Sequence, residues 1–505
     1  SRFAQPSARE DLTASAAALA SAYKGKERLK PHLLSLYETE CPHCRARTSA
    51  RAFLWSKNKA MPIRKWIACS SCGDRGEYPT NQEDVEKALS YQEQSLYHAR
   101  ALTRVAPPQN PIRSQVEKAL QIYPPRAVYA LFTLVNKYIG LSLEKTRQQA
   151  LTCLLLSAFA RSHGLQSAHP GGTPGEKLIL PGQYRENNVW LAFEEAVETW
   201  QLDHPPLPLS RWPDLPPGSG GISLYPGRFR ELAGELSRAE IATSLLLPPR
   251  PRPLMWALSA LWTGWLWGQE AAADFHNLLS LTTTDWTWYS RALENNFSSL
   301  NASLKANTLC HNLLVNVDPE FLTSIITAGQ TAGLSLEELA LNPGTDRGQL
   351  LFKKPLREPM QAEANGKDVL RNAGYQHLQQ LGEPAHSLTL FGAGLLGLAR
   401  SRWFPLSNQT PVQETFQRLQ ELLEETYAYR QGFLYYPEIK RWWHQELKLN
   451  PQPLSDQVEQ KAVELLIETE GPVPARQLED SLYRDFPGLL TPDAELIRVC
   501  LASYG

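Results

Sequence analysis

Two patterns of hydrophobic and polar positions divide the chain. Between residues 222 and 341, short apolar runs alternate with amphipathic stretches. Alternation of this kind predicts strands joined by helices, which favours an α/β fold with a parallel, doubly wound sheet. The predicted strands are the four apolar runs at 222–225, 241–247, 308–317 and 334–341.

Elsewhere the apolar positions recur at helical spacing. Segments 126–139 and 143–162 are strongly apolar, which predicts two core helices. A further helix is predicted at 185–200, where Asn187 and Asn188 can cap the helix or read a base, capping being the commoner role. The final stretch predicts three helices separated by Gly-Pro and Pro-Gly breaks, a pattern that is typical of a winged-helix-like module.

The strongest local signal is a pair of CxxC turns. Cys41 and Cys44 form the first turn, and Cys69 and Cys72 form the second after a 24-residue spacer. Two such turns place four thiolates at the corners of a tetrahedron, an arrangement that suits Zn²⁺. We therefore predict a zinc ribbon with these four cysteines as ligands. Because a closed Cys₄ shell leaves no open coordination position, the zinc ion is expected to be structural rather than catalytic.

Positive charge concentrates around the same segment. From Lys24 to Arg75 there are 12 Lys and Arg against 4 Asp and Glu, a local net charge of +8 in a chain of net charge −1. This concentration predicts contacts with nucleic-acid phosphates, with a solvated ribbon surface as an equal alternative. The ribbon can also dock a protein or hold an insertion together. The predicted nucleic-acid-binding residues are Arg45, Arg47, Arg51, Lys57, Lys59, Arg64 and Lys65.

These signals predict six segments. They are an N-terminal helical segment at 1–40, the zinc ribbon at 41–80, a helical block at 81–201, an α/β core at 222–345, a helical region at 373–450 and the winged-helix-like C-terminal module at 456–505. The last module is acidic, which favours a protein contact or a structural cap over DNA binding.

Composition narrows the class of protein. At 505 residues, with 42% apolar and 20% charged residues, the chain is typical of a globular protein of about three domains. It has no apolar run of membrane-spanning length and opens on no signal peptide, so we expect a cytoplasmic protein without a membrane partner. Seven cysteines, four of them in the CxxC pairs, suit a reducing compartment. The first residue is Ser1 rather than Met, which suggests a processed chain or part of a longer one.

The apolar run at 241–247 ends abruptly at two prolines. Pro248 and Pro249 follow Leu247 directly, and Arg250 comes next. In an open α/β sheet, ligands bind in the crevice outside the carboxyl ends of the strands. A rigid Pro-Pro pair at this position can therefore shape the backbone around a pocket.

A strand that runs into Pro-Pro resembles the catalytic loop of the DNA amino-methyltransferases, which reads Asp/Asn/Ser-Pro-Pro-aromatic. The stretch from Tyr184 to Trp190, the pair Phe193 and Glu194, and the run from Trp256 to Gly268 are similar to adenine- or cytosine-specific DNA methylases that carry a zinc ribbon. The resemblance covers residues 41 to about 340. It implies a Rossmann-like methyltransferase sheet, DNA as the partner and S-adenosylmethionine as the cofactor.

The resemblance also assigns roles to the four loop positions. In the family, the first side chain and a proline carbonyl accept hydrogen bonds from the exocyclic amine, and the aromatic ring stacks on a flipped base. Here Pro248 and Pro249 are kept as the candidate catalytic residues, but Leu247 replaces the polar acceptor and Arg250 replaces the ring. Amine activation at this loop is therefore in doubt.

A cofactor-binding turn is the second missing element. S-adenosylmethionine needs a Gly-rich turn after the first strand and a carboxylate at the end of the next. The nearest match is the GxGxxG spacing within 391–397, which lacks a suitable acidic residue about twenty positions further on. S-adenosylmethionine is therefore a doubtful cofactor, and no cofactor-binding residue is assigned.

Three hypotheses follow. The leading one is a methyltransferase-like, DNA-binding subunit of a larger complex, inactive alone, with DNA modification in a defence system as a setting suggested by the family. The second is the catalytic or target-recognition half of a split methyltransferase, completed by a protein partner. The third is a zinc-ribbon scaffold that binds proteins and no nucleic acid.

Overall fold

The computed structural model describes the chain in two units. The described residues are 6–91, 95–165, 177–200, 208–216, 220–225, 227–236, 241–279, 285–357, 361–362, 364–428, 432–448, 452–469, 471 and 473–504. The protein is mixed α/β, with 54% of the described residues in helices and 17% in strands. The first unit comprises Ser1–Tyr225 and Arg252–Thr282, and the second comprises Pro226–Pro251 and Thr283–Gly505.

The first unit begins with a helical segment, continues through the ribbon strands and adds a block of helices. Its elements up to residue 225 are α1 (Pro6–Ser21), β1 (Tyr23–Lys24), β2 (Glu27–Arg28), α2 (Leu29–Ser35), β3 (Glu38–Glu40), β4 (Arg47–Ser49), β5 (Ala52–Ser56), β6 (Met61–Ala68), β7 (Arg75–Pro79), α3 (Gln82–Leu89), α4 (Ser95–Val105), α5 (Arg113–Gln121), α6 (Pro125–Gly140), α7 (Lys145–Arg161), β8 (Gln183–Asn187), α8 (Val189–Trp200), β9 (Leu209–Arg211) and β10 (Ile222–Leu224).

The chain then passes into the second unit and returns once. Helix α9 (Phe229–Leu236) and strand β11 (Thr243–Leu246) belong to the second unit. The first unit is completed by α10 (Pro253–Trp267), α11 (Gln269–Ala272) and α12 (His276–Leu279).

The remaining elements belong to the second unit. They are α13 (Trp286–Ser303), β12 (Leu309–Val315), α14 (Pro319–Thr331), β13 (Ser335–Asn342), β14 (Arg347–Lys353), α15 (Gly366–Leu381), β15 (Ala385–His386), α16 (Ser387–Arg400), α17 (Val412–Leu423), β16 (Phe433–Tyr436), β17 (Arg441–His444), α18 (Leu454–Glu468), α19 (Ala475–Asp485) and α20 (Ala494–Tyr504).

Strands β7, β6, β5 and β8 form, in that order, an antiparallel sheet that we call the ribbon sheet. The predicted helix at 185–200 is wrong in its first turn, because Gln183–Asn187 is a strand paired with β5. Tyr184 and Glu186 are buried while their neighbours are not, a period of two that a strand satisfies and a helix does not. The ribbon sheet is thereby extended by a strand more than 100 residues away in the chain.

Helix α10 is a core helix of the first unit, although the sequence placed it within the α/β core at 222–345. Most of its side chains are apolar, and seven of its residues, from Ala257 to Leu266, are buried in the hydrophobic core of that unit. The indole of Trp265 donates to the carbonyl of Ala101 at 3.0 Å, and that of Trp262 donates to the hydroxyl of Tyr123 at 2.8 Å. A Cβ on Gly264 would lie 2.6 Å from Val105, so glycine permits the close approach of α10 to α4.

The second unit contains a four-stranded sheet in the order β11-β12-β14-β13. Only part of it is parallel: β11 and β12 run parallel, but β14 is antiparallel to both of its neighbours. The prediction of an all-parallel sheet is therefore wrong at this end. A tight turn at 343–346, with Asp346 at φ 49°, joins β13 to β14 as a hairpin, and a hairpin is antiparallel by construction. The predicted strand at 222–225 pairs instead with β9.

One face of this sheet is covered and the other is open. On β12, Cys310, Asn312 and Leu314 are buried, and the residues between them are exposed. The open face carries apolar side chains from β11 and β12: Leu245 is 61% exposed, Leu309 36%, Leu313 37% and Val315 55%. A doubly wound sheet is covered on both faces, so the described part of this sheet departs from that expectation.

A helix, a short strand, two helices and a β-hairpin follow one another from α15 to β17, and the strands pair in the order β15-β17-β16. This is the arrangement of a winged helix, and it lies within the region 373–450 that was predicted to be largely helical. The three helices predicted in the module at 456–505 are present as α18, α19 and α20, with no strand among the residues described there. They share a hydrophobic core with the hairpin, including Phe433, Val458 and Ile497.

Candidate functional site

The four predicted metal ligands lie together. The Sγ atoms of Cys41, Cys44, Cys69 and Cys72 are all within 4.8 Å of one another. Across the cluster, Cys41 and Cys72 are 3.8 Å apart and Cys44 and Cys69 are 3.6 Å apart, measured between sulfurs. Zn–S bonds of about 2.3 Å at tetrahedral corners place sulfurs about 3.8 Å apart, so the donor set fits a tetrahedral metal ion. We call this group the cysteine cluster.

The two CxxC turns reach this geometry through the same backbone arrangement. The N–H of Arg45 donates to the carbonyl of Cys41 at 2.9 Å, and the N–H of Gly73 donates to that of Cys69 at 3.0 Å. Arg45 and Gly73 are both left-handed, with φ of 60° and 77°. Hydrogen bonds from the backbone N–H groups of Cys72 and Ser71 contribute to lowering the pKa of Cys69 to about 6. The pKa values of Cys44 and Cys72 are raised instead, with hydrogen bonds from the other cysteines among the causes, so the backbone favours the thiolate at Cys69 only.

The predicted nucleic-acid-binding residues divide into three groups. Arg45 and Lys59 are exposed. Arg47, Arg51 and Arg64 are about half exposed, and each forms an ion pair, with Glu83, Glu195 and Glu77 respectively. Lys57 is exposed and donates to the carbonyl of Leu180 at 3.2 Å. These six can reach a ligand, although three of them would exchange a carboxylate for it.

Lys65 does not belong to this group. It is 2% exposed, and its Nζ lies 2.7 Å from the carboxylate of Asp84 and 2.6 Å from the hydroxyl of Thr39. Its neighbour Arg64 is exposed, because side chains alternate between the two faces of β6. The prediction that Lys65 contacts phosphates is therefore wrong: it is a buried partner of α3.

A second buried ion pair lies behind the ribbon sheet. Arg126 of α6 donates from Nε and Nη2 to the two carboxylate oxygens of Glu186, at 2.9 and 2.7 Å. Both side chains are at most 1% exposed. The guanidinium lies 4.5 Å from the ring centroid of Tyr37, and the indole of Trp55 donates to Glu186 at 2.6 Å. This bidentate pair anchors β8 to the helical block. Arg126 and Glu186 are 60 residues apart, so the sequence gives no sign that they pair.

Asn188 caps helix α8 rather than reading a base. Its side-chain oxygen accepts from the backbone N–H of Trp190 at 3.1 Å, and its amide donates to the carbonyl of Ala50 at 2.9 Å. Asn187 donates to the carbonyl of Arg161 at 2.7 Å. Asn187 also lines a polar cleft with Arg161 and Arg185, two residues to which the sequence gave no role.

In the second unit, the two prolines follow the carboxyl end of β11, as predicted, and we call residues 247–250 the proline loop. Leu247 is 69% exposed and offers no polar atom from its side chain. The carbonyl of Pro249 already accepts a hydrogen bond from the hydroxyl of Tyr289 at 2.6 Å. Arg250 is ion-paired with Asp318, the N-cap of α14.

The space beside the proline loop is apolar. A cavity of about 310 Å³ is lined by Phe229, Leu246, Leu247, Pro248, Pro249, Leu293, Asn296, Phe297 and Leu300. Asn296 contributes the one polar side chain to this lining, and its amide donates to the carbonyl of Ala292. A nucleobase amine placed here would lose its hydrogen bonds to water and gain few in return.

The glycines of the GxGxxG match lie inside helix α16, not in a turn after a strand. A Cβ on Gly394 would lie 2.7 Å from Leu370, and one on Gly397 would lie 2.7 Å from Ala373. These glycines therefore let α15 and α16 pack closely. Because the backbone N–H groups of a helix interior are already hydrogen-bonded, they cannot hold a phosphate or a methionine carboxylate.

Comparison with protein-family models, with curated proteins and with solved structures finds no match for this chain. Among the described helices, none is both long and apolar enough to cross a membrane.

Proposed function

We propose that the protein is a methyltransferase-like, DNA-binding subunit of a larger complex that transfers no methyl group by itself. The observation that carries this proposal is the proline loop. Its position at the carboxyl end of a parallel strand matches a catalytic loop, but Leu247 and Arg250 replace the polar side chain and the aromatic ring, and the Pro249 carbonyl already accepts a hydrogen bond from Tyr289.

Each replacement removes a different contribution to amine chemistry. Leu247 cannot accept a hydrogen bond from the amine, and the Pro249 carbonyl is occupied by Tyr289. Arg250 stands in place of the aromatic ring, and its guanidinium is held by the ion pair with Asp318. Hydrogen bonds to the developing charge are usually among the largest contributions to catalysis, so this loop lacks the means to activate an amine.

The sheet of the second unit supports two parts of the proposal, the relation to methyltransferases and the presence of a protein partner. Two parallel strands followed by an antiparallel hairpin strand, in the order β11-β12-β14-β13, resemble the catalytic end of a Rossmann-like methyltransferase sheet. In the described residues, β11 pairs on one side only, and the open face presents Leu245, Leu313 and Val315 to solvent. Exposed apolar surface of this kind favours a protein partner that covers it.

The first unit supplies the proposed DNA contacts. We infer that the cysteine cluster holds one structural Zn²⁺, which makes the surrounding segment a zinc ribbon. Its exposed cations, Arg45 and Lys59 among them, are available for backbone phosphates. The closed thiolate shell supplies folding energy and no reactive position.

Two binding experiments test the proposal on the whole chain. Titration of S-adenosylmethionine in a calorimeter, with and without duplex DNA, is expected to show no heat of binding, and labelled cofactor is expected to transfer no methyl group to DNA. Fluorescence anisotropy with labelled duplex DNA at several salt concentrations is expected to show binding that weakens as salt rises, since phosphate contacts release counterions.

A matched pair of variants locates the binding. Lys59→Gln is expected to weaken DNA binding several-fold, whereas Arg100→Gln, an exposed cation on α4 outside the ribbon, should leave it unchanged. Methyl transfer by the isolated chain would overturn the proposed inactivity. Absence of salt-sensitive binding to DNA, with RNA bound instead or with neither bound, would overturn the assignment of DNA.

The open sheet face also favours a second candidate, the catalytic half of a split methyltransferase whose cofactor half is another chain. The occupied Pro249 carbonyl and the leucine at position 247 weigh against it, because a split explains a missing cofactor site but not an altered loop. Recovery of methyl transfer when the purified partner is added would favour this candidate.

A further inference from the structure

A cleft of about 340 Å³ lies where the ribbon sheet meets α7 and α8. Three guanidinium groups line it, those of Arg51 at the start of β5, Arg161 at the end of α7 and Arg185 in β8. The remaining lining residues are Asn187, Asn188, Leu191, Ala192 and Glu195. We call it the guanidinium cleft.

Glu195 is the single carboxylate among these residues, and two of the three cations share it. The Nη2 atom of Arg51 lies 2.7 Å from Oε1 of Glu195, and Nη1 of Arg161 lies 3.4 Å from its Oε2. Arg161 also donates from Nη2 to the hydroxyl of Thr199 at 2.9 Å. One negative charge against three positive charges leaves the lining with a net charge of +2.

Arg185 is the third cation, and among the described residues it forms no direct ion pair, although the charges of Glu195 and Glu77 act on it. Its Nε is buried, without a hydrogen-bond partner among the described residues. Its guanidinium carbon lies 5.0 Å from the ring centroid of Trp66, which holds the group beside the cleft. Burial is the main cause that lowers the pKa of Arg185; the charges of Glu195 and Glu77 oppose this shift, and the charge of Arg51 adds to it. A buried N–H donor without a partner is costly, and a ligand that accepts from it removes that cost.

The cleft continues the outer surface of the ribbon sheet. Arg185 pairs with Leu54, and Leu54 pairs with Arg64 on its other side, so Arg64 and Arg185 face the same way. Trp66 lies on the same face, because residues two apart in a strand share a face. Arginines beside an aromatic ring, next to a polar cleft, form a surface that can contact the phosphates and bases of a nucleic acid.

We propose that the guanidinium cleft binds a phosphate group, and that in the complete function this is a backbone phosphate of the bound DNA. The first part stands on the cleft alone, whereas the second part rests on the proposed DNA binding. Several N–H donors converge from three directions, and guanidinium forks suit phosphate oxygens. A bound phosphate would compete with Glu195 for Arg51 and Arg161 and would give Arg185 the partner it lacks.

The test compares Arg185→Gln with Arg100→Gln in the full chain. In DNA binding, Arg185→Gln is expected to lower affinity several-fold and to reduce the slope of log affinity against log salt by about one, as the loss of one phosphate contact requires. Arg100→Gln should change neither quantity. In a second arm, calorimetric titration with inorganic phosphate and pyrophosphate is expected to show binding to the unchanged protein and weaker binding to Arg185→Gln.

The two arms separate the cleft from the proposed function. If DNA binds but Arg185→Gln binds DNA and phosphate as the unchanged protein does, the cleft proposal is overturned and the DNA-binding proposal stands. If DNA does not bind but phosphate does, and Arg185→Gln abolishes it, the cleft is a site for free phosphate and the DNA-binding proposal fails. If neither ligand binds, both fail.

A second variant distinguishes loss of the phosphate site from a folding defect. Arg161→Gln removes a half-exposed guanidinium from the other wall of the cleft and leaves β8 intact. It is expected to reproduce the loss of phosphate binding, with unchanged metal content and an unchanged thermal unfolding midpoint. Normal phosphate binding by a folded Arg161→Gln protein together with a folded Arg185→Gln protein would contradict the proposal.

Discussion

The ribbon sheet of the first unit and the sheet β11-β12-β14-β13 of the second unit each lie beside a motif that the sequence singles out. The two motifs differ in how many of their reactive groups are present and free. Beside the ribbon sheet, all four cysteines lie within 4.8 Å of one another, and both CxxC turns have the same backbone hydrogen bond. In the second sheet, the two prolines keep their place after β11, but Tyr289 and Asp318 occupy the groups that a substrate would contact. The cysteine cluster thus has the groups that its predicted role needs, whereas the proline loop does not.

The comparison teaches that position in a fold and chemical competence are separate properties. The proline loop has the position of a catalytic site, since it follows a strand at the sheet edge where ligands bind. Its first side chain, that of Leu247, offers no acceptor, and a site without the reacting groups cannot be inferred to work from its location. The predictions that follow test this contrast, from the largest expected effect to the smallest.

Loss of one cysteine ligand should have the largest effect. Cys41→Ser is expected to abolish metal binding and to unfold the ribbon, since binding of a structural zinc ion contributes about 10–16 kcal/mol in small zinc-binding domains. The measurement is metal content together with limited proteolysis of the ribbon segment. Cys153→Ser, which changes a cysteine of α7 outside the cluster, is the matched control and should retain the metal. A folded ribbon without metal would contradict the structural role.

Breaking the buried ion pair of the first unit should come next. Arg126→Met leaves the Glu186 carboxylate buried without its partner, which is expected to lower the free energy of unfolding by about 3–5 kcal/mol. Arg47→Met removes an exposed pair of similar length, 2.6 Å to Glu83, and should cost less than about 1 kcal/mol. Urea unfolding of the two variants measures the difference. Equal losses would show that burial does not control the strength of these pairs.

Acid should destabilise the second unit through a buried histidine. His377 is 4% exposed, and burial lowers its pKa to about 4, well below the 6.5 of a free histidine. The unfolded chain therefore binds a proton that the folded protein excludes, and stability present above pH 6.5 is lost as the pH falls towards 4, by up to about 3 kcal/mol.

The variant His377→Gln should flatten this part of the stability profile between pH 7.5 and 4.5, as followed by thermal unfolding. His311→Gln changes an exposed histidine of β12 and should leave the profile as it is. A profile that stays equally steep without His377 would assign the acid sensitivity to other groups, such as the thiolates of the cysteine cluster.

The smallest effect is expected at the proline loop. Tyr289→Phe frees the Pro249 carbonyl at the loss of one hydrogen bond, about 1 kcal/mol of stability. Methyl transfer should remain absent, because Leu247 and Arg250 are unchanged and no cofactor turn is found in the described residues. The measurement is transfer from labelled S-adenosylmethionine, with thermal unfolding to confirm the small loss. Activity in this variant would show that the loop is inhibited rather than degenerate.

Local signals predicted well where neighbouring residues determine the structure. A CxxC turn needs only a few residues and one left-handed position, so the spacing of the cysteines was enough to predict the cluster. The end of β11 at two prolines was also predictable, because proline lacks an N–H and cannot continue a ladder. The capping role of Asn188 followed in the same way from the preference of asparagine for helix starts.

Long-range contacts decided the rest. The strand at 183–187 was predicted as a helix because its pairing with β5 is not visible in a short stretch of chain, and the antiparallel β14 was missed for the same reason. In the sequence Lys65 cannot be distinguished from its exposed neighbours, because only the fold places Asp84 and Thr39 beside it. The glycines of 392–397 carried the spacing of a phosphate loop, but helix packing against α15 explains them.

The sequence alone determined that this protein has a four-thiolate cluster, a strand that stops at two prolines, and a loop without the residues that amine chemistry needs. Only the tertiary structure decided that the Pro249 carbonyl accepts a hydrogen bond, that one sheet face is open, and that three guanidinium groups line one cleft. The physical reason is range: turns, caps and strand ends depend on neighbouring residues, whereas hydrogen-bond occupancy, burial and local charge depend on residues that only the fold brings together.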